Sequence, residues 1–223
     1  MALKFIDYPL DLGQYVKTAT VKTHVVWHGT MGRTKYTPVN GVPGKATSSI
    51  DSWNTDSLGR VGATYLVDRN GDIYRCFDEK YWISHLGLKG TLGKYDQASV
   101  GIELANELTL IKDGGKYFAF DKISKNTEYI GPVFARKWRD WTDWARLDDA
   151  QIEAAIDLTL DICKRWNIKP KFYKPSTTLD YPNCFDKATI ICHSNCRKDK
   201  ADLLLEDWVW ARLTKAGIDI YEK

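Results

Sequence analysis

Residues 190–202 read I-I-C-H-S-N-C-R-K-D-K-A-D. A short apolar run, Thr189 to Cys192, ends at His193, and a polar segment dense in Asp, Lys and Cys follows. A strand that delivers one ligand at its end, with the next loop delivering others, is a common way to build a metal or catalytic site. The same setting recurs far upstream, where T-H-V-V-W-H ends at His28. His24 and His28 share one face if this run is a strand. On a helix their spacing would suggest a metalloprotease, but the general-base Glu of H-E-x-x-H is absent. The fold therefore turns on whether the ends of these two strands meet.

The 223 residues suffice for one domain with a full core. The composition, 43% hydrophobic and 27% charged, is that of a globular chain rather than a disordered or membrane-spanning one. Nine Trp and twelve Tyr suit a large core, and also a groove for carbohydrate or peptide. The net charge of +3 comes from scattered Lys and Arg, with no basic stripe, so nucleic acid is not the expected partner. The first residues, M-A-L-K-F-I-D-Y-P-L-D, contain no apolar signal-peptide core, and no run is long enough to span a membrane. A chain made in the cytoplasm, acting as a monomer, is expected. The five cysteines, Cys76, Cys163, Cys184, Cys192 and Cys196, are then expected to be reduced.

Along the chain, residues 1–20 read as an irregular lead-in, Thr23 to His28 as a strand and Ser48 to Leu58 as a short helix. Ala63 to Asp68 and Asp72 to Phe77 read as a hairpin around Asn70-Gly71. Ser99 to Ala105, S-V-G-I-E-L-A, reads as a strand whose one charge is Glu103. Glu107 to Trp144 is read as an insertion over one edge, with Trp138, Trp141 and Trp144 as candidate groove residues. Asp148 and Gln151 suggest a capping box, with Leu147 stapling onto Ile152, opening a helix that ends near Trp166-Asn167. Lys169 to Pro182 reads as a loop, Ile190 to His193 as a fifth strand and Ala201 to Ala216 as a final helix closed by Gly217. The expected fold class is α/β: one domain, a mixed central sheet of about five strands flanked by helices.

Several stretches, taken in order, resemble the zinc-dependent N-acetylmuramoyl-L-alanine amidases, the type 2 amidase and peptidoglycan-recognition family. They are V-V-W-H-G-T, G-A-T-Y-L-V-D-R-N-G-D-I-Y, I-S-H-L-G, S-V-G-I-E-L-A-N, L-D-D-A-Q-I-E-A-A-I and I-C-H-S-N-C-R-K-D-K-A-D. The resemblance covers most of the chain. It implies a single type 2 amidase catalytic domain over residues 1–223, one zinc ion, and bacterial peptidoglycan or muropeptides as substrate. It implies His28 and His193 as zinc ligands and an acid or cysteine as the third. Lys-x-Asp spacing favours Asp202 and puts Lys200 at the family's catalytic lysine position. Leu203 and Leu204 stand where many members have Pro-Gly, and Asp199 and Cys196 remain alternative ligands. Ala63-Thr64 stands where many members have a Tyr or His, and relatives with Tyr there can use it in catalysis; its absence places the burden on Glu103.

Two imidazoles and a carboxylate would leave one zinc position open to water, whose pKa falls to about 7. Glu103, held among apolar residues, would take the proton, and Lys200 would face the developing oxyanion. The amide cut would join N-acetylmuramic acid to L-alanine. A phage or prophage endolysin is the expected setting. A muropeptide-recycling amidase, a non-catalytic peptidoglycan receptor and a cysteine hydrolase using Cys196 or Cys192 are the rivals. His24 is expected to be structural, and His85 either contacts substrate or packs in its loop.

Overall fold

A computed structural model describes residues 3–56, 61–119, 127–174 and 180–222. In chain order its first half contains β1 (Phe5–Asp7), β2 (His24–Gly29), α1 (Thr47–Thr55), β3 (Tyr65–Val67), β4 (Ile73–Arg75), α2 (Lys94–Ala98) and β5 (Ser99–Leu104). Then follow β6 (Thr109–Asp113), β7 (Lys116–Ala119), β8 (Thr127–Tyr129), β9 (Val133–Trp138) and β10 (Trp141–Ala145). The last part holds α3 (Asp149–Arg165), β11 (Lys171–Tyr173), α4 (Cys184–Lys187), β12 (Ile190–Cys192), α5 (His193–Cys196), α6 (Asp207–Lys215) and β13 (Asp219–Tyr221).

The main sheet has eight strands in the order β1-β4-β3-β5-β2-β12-β11-β13. Every neighbouring pair is parallel except the β3/β4 hairpin. All of the expected strands are in it. The sheet exceeds the expected five or so because β1, β11 and β13 are three-residue strands, too short to carry a readable alternation. β1 lies in the expected lead-in, and β11 in the expected Lys169–Pro182 loop. The last residues of the helix expected to run to Leu58 lie outside the described residues.

Register decides which side chains share a face. His28 pairs with Glu103, and Glu103 with Leu66. Trp27 pairs with Ile102 and with Cys192. Pairs one residue apart point to opposite faces. Trp27, Ile102, Tyr65 and Cys192 thus join the main core with Ile152, Ala155 and Ile162 of α3 and Val209 and Leu213 of α6. Trp27 is fully buried, and its indole N–H donates to Thr159 Oγ1 at 2.9 Å. Burying a ring of that size stabilises by roughly 4–6 kcal/mol. His28 and Glu103 occupy the other face.

α3 starts where expected but is not capped as expected. Asp148 makes no side-chain cap bond. Its carboxylate instead accepts from Tyr36 Oη and pairs with Lys35. The Gln151 amide donates to the Val67 and Ala105 carbonyls at the ends of β3 and β5. Tertiary partners outcompete the local box here. The closing helix is also shorter than expected, beginning at Asp207, because residues 201–206 run as irregular chain.

Within the expected insertion the described residues form a second, antiparallel sheet, β8-β7-β6-β10-β9; residues 120–126 lie outside the described residues. At its root Glu107 is fully buried in an ion pair with Arg69, 2.6 Å away. The same carboxylate accepts from the Thr34 amide and from the Thr34 and Thr37 hydroxyls. Trp138 and Trp144 do not line a groove. They are buried with Leu204, while Trp141 is partly buried beside them. No helix among the described residues is long and apolar enough to cross a membrane.

Candidate metal centre

β2 and β12 lie side by side and parallel, so their C-terminal ends meet. His28 is the next-to-last residue of β2, and His193, expected to close its strand, instead opens α5 directly after β12; both rings lie away from the α3 face. His28 Nδ1 and His193 Nδ1 are 3.0 Å apart. The irregular segment after α5 brings Asp202 back to them, with Oδ2 at 3.2 Å from His193 Nδ1 and 3.6 Å from His28 Nδ1. Ser194 N–H donates to the Asp202 carbonyl at 2.7 Å, closing the loop on itself. All three side chains are buried, and these ligand atoms lie within 4.8 Å of one another.

The alternatives stand apart. Asp199 is exposed and engaged by Arg197 at 2.6 Å. Cys196 is buried beside Cys184, Val26 and Ile191, and burial pushes its thiol well above the usual range. Cys192 points into the main core, and burial raises its thiol too. A thiolate nucleophile finds no support at either cysteine. His24 is structural as expected: its Nε2 lies 2.9 Å from the Phe185 carbonyl.

Hydrogen bonds decide where the imidazole protons lie. Ser99 Oγ donates its one proton to the Tyr95 carbonyl, so it can only accept from His85 Nε2, 2.9 Å away. The neutral His85 ring then accepts at Nδ1, and His28 Nε2–H donates to it across 2.8 Å. His193 Nε2 faces the Leu86 carbonyl at 3.1 Å and must be the donor there. In neutral rings both Nδ1 atoms are therefore lone pairs. Burial, reinforced by His193, lowers the His28 pKa to about 4, which keeps that ring neutral.

Two lone pairs and a carboxylate oxygen thus converge with no donor among the three side chains; Asp202 Oδ2 takes only a long bond, 3.4 Å, from the Gly29 amide. A proton could bridge only two of the three atoms, whereas a metal ion can accept all three. The donor set, two imidazole nitrogens and one carboxylate, fits a divalent ion such as zinc.

Glu103 sits beside His28 on the same face. Its Oε2 is buried with no hydrogen-bond partner. Burial, and then the charge of Asp202, push its pKa well above the usual glutamate range, with Lys200 opposing. Lys200 is half-buried and forms no ion pair among the described residues.

His85, which the sequence left undecided, supports His28 from behind. Gly101 makes this approach possible: a Cβ there would lie 3.1 Å from His85 Cγ. Asp96, buried, accepts from the Leu86 amide at 2.7 Å and so helps to hold Leu86, the residue whose carbonyl receives His193. Only the I-S-H-L-G stretch and the glycine in S-V-G-I-E signalled this support.

The model of the Amidase_2 family, N-acetylmuramoyl-L-alanine amidase, matches residues 18–202. No curated protein matches the sequence. Among solved structures, N-acetylmuramoyl-L-alanine amidase LysC from Clostridium intestinale is 13% identical with a TM-score of 0.50, covering 98% of this chain and 100% of its own. N-acetylmuramyl-L-alanine amidase AmiD from E. coli, in complex with anhydro-N-acetylmuramic acid-L-Ala-D-gamma-Glu-L-Lys, is 21% identical with a TM-score of 0.52, covering 93% of this chain and 62% of its own. The catalytic domain of XlyA is 13% identical with a TM-score of 0.50, over 96% and 94%. At such identities these likenesses speak for the fold, whereas the family match spans most of the chain and includes β2, β5, β12 and Asp202. The chain belongs to the Amidase_2 family, the N-acetylmuramoyl-L-alanine amidases.

Proposed function

We propose that the chain is a zinc-dependent amidase that hydrolyses the bond between N-acetylmuramic acid and L-alanine in peptidoglycan. We take residues 1–223 as one catalytic domain in which 107–144 is an insertion. His28, His193 and Asp202 would hold the ion. The observation that carries the reading is the convergence of three acceptor atoms with no donor among their side chains, next to Glu103, whose Oε2 is buried without a partner. When bound, zinc supplies a Lewis acid that acidifies a water and polarises the scissile carbonyl.

The protein's own groups do the rest. Glu103, with its raised proton affinity, takes a proton from the attacking water and returns it to the leaving amine of L-alanine. Lys200 places a positive charge near the carbonyl oxygen as negative charge develops there, a contribution worth roughly 3 kcal/mol of barrier. His85 and the Leu86 carbonyl keep the imidazole protons on the nitrogens that face away from the ion.

The cellular setting we assign is wall lysis by a phage or prophage endolysin. Digestion of purified peptidoglycan, with mass analysis of products and with and without a chelator, tests the reading. Release of peptides with free L-alanine amino groups, abolished by chelation and restored by zinc, is expected. Intact walls after zinc loading would refute the enzyme reading. Cleavage of soluble muropeptides alone would move the enzyme to a recycling role.

A further inference from the structure

The turn between β9 and β10 consists of Arg139 and Asp140, since Trp138 pairs with Trp141. Arg139 has φ of 52°, the only positive value in that turn. The first position of such a two-residue hairpin is one where glycine is preferred, and a residue with a Cβ is strained there. An arginine held in this conformation needs a compensating interaction.

Its guanidinium supplies one. Nη2 donates to the Ser194 carbonyl at 3.0 Å, and Nη1 to the Lys198 carbonyl at 2.8 Å. Nη1 also reaches the Arg197 carbonyl at 3.4 Å and the Lys200 carbonyl. These four carbonyls belong to α5 and the loop that runs from His193 to Asp202. The guanidinium lies 4.3 Å over the Trp138 ring, which fixes its plane. Below it, Trp138 and Trp144 pack on Leu204 and Ala201, so the residue before Asp202 and the second residue after it are held by the second sheet. Leu203 is gripped by the main core instead.

We infer that Arg139 is a positioning residue: the second sheet reaches across to clamp the 194–202 loop and thereby holds Asp202 against the two histidines. A planar fork suits a cluster of carbonyls in a way that the ammonium of lysine does not. The inference rests on the metal reading above.

The test compares Arg139→Gly, Arg139→Lys and the parent in the full chain. Three readouts are zinc affinity by chelator competition, thermal stability of the metal-free protein, and hydrogen exchange of the 194–202 amides in the metal-free protein. Glycine removes the strain as well as the clamp. The expected result is therefore an unchanged or higher melting temperature together with zinc affinity weakened about tenfold or more, as for other supports of metal ligands. Lysine, which keeps the charge and loses the fork, should fall between. Faster exchange of the 194–202 amides in Arg139→Gly supports the clamp independently of any ion. Zinc affinity within twofold of the parent in Arg139→Gly overturns the inference. If the parent itself takes up no zinc, the metal reading fails. Exchange alone then decides the clamp, which unchanged protection of 194–202 would overturn.

Discussion

Replacing His85 by alanine should weaken zinc binding without touching a ligand. His85 Nδ1 is the acceptor for His28 Nε2–H, 2.8 Å away, in a site where His28 is 1% exposed. Without it that N–H loses its partner, at about 1–3 kcal/mol. The proton also becomes free to move to Nδ1, the atom that should face the ion. At about 1.4 kcal/mol per factor of ten, zinc affinity should fall roughly 5- to 150-fold, in line with other losses of a ligand's hydrogen-bond partner. His85→Gln retains an oxygen acceptor and should lose less. Competition against a fluorescent chelator at constant pH measures the effect, with Asp202→Ala as a control for loss of the site. If His85→Ala binds zinc within twofold of the parent while Asp202→Ala does not bind, His85 does not hold the His28 proton on Nε2, and the tautomer argument fails.

Other replacements probe the remaining groups. Asp202→Ala should abolish stoichiometric zinc, whereas Asp199→Ala and Cys196→Ser should retain it, as metal analysis after dialysis would show. Lys200→Ala should lower kcat by about a hundredfold with zinc content unchanged, and steady-state kinetics on a defined muropeptide would separate this from weaker binding. Glu103→Gln should be inactive, and its stability relative to the parent should depend on pH. Because burial raises the folded-state pKa of Glu103, the parent's stability relative to the glutamine variant is fully present below the ordinary glutamate value, about 4.3. It is lost as pH rises through the raised one. Denaturant titrations of the metal-free proteins should thus show little difference at pH 4 and the variant ahead at pH 8, by on the order of 1–2 kcal/mol. Arg69→Met leaves Glu107 charged and unpaired in the interior, at about 3–5 kcal/mol. For a chain of this length that is a loss of roughly 6–20 °C in Tm, and adding Glu107→Leu should recover much of it.

The parts of the molecule that could be read from sequence are those with strong local periodicity. β2, β5 and β12 are apolar runs of uniform type, and each stops at or surrounds a residue out of keeping with it: His28, Glu103 and His193. α3 showed its 3.6-residue stripe over more than four turns. What stayed hidden depends on contacts made across the fold. Only the Lys-x-Asp spacing distinguishes Asp202 from Asp199 locally; it is the return of the loop to β2 that separates them in space. The capping box at Asp148 was sound as local chemistry and lost to Tyr36, Lys35 and two strand-end carbonyls. Glu107 and Arg69 look like surface residues in the sequence, since neither neighbour pattern reports that they meet. The tryptophans of the second sheet look like groove residues until Leu204, far along the chain, is seen to cover them.

The central place of β2 has a consequence for how the enzyme comes into being. Its two neighbours in the sheet are β5 and β12, and the histidines it joins are 165 residues apart. A ribosome that has released residues up to 189 has made His28, Glu103 and His85, yet one side of β2 still lacks its partner strand and the proposed metal site lacks two of its three residues. The last of the proposed ligands appears only with residue 202. On that reading chains cut short before that point are silent, and hydrolytic power arises in one late step, when β12 docks and the following loop brings Asp202 back. Contacts of such long range also make that step slow, so a lag between synthesis and activity is written into the strand order itself.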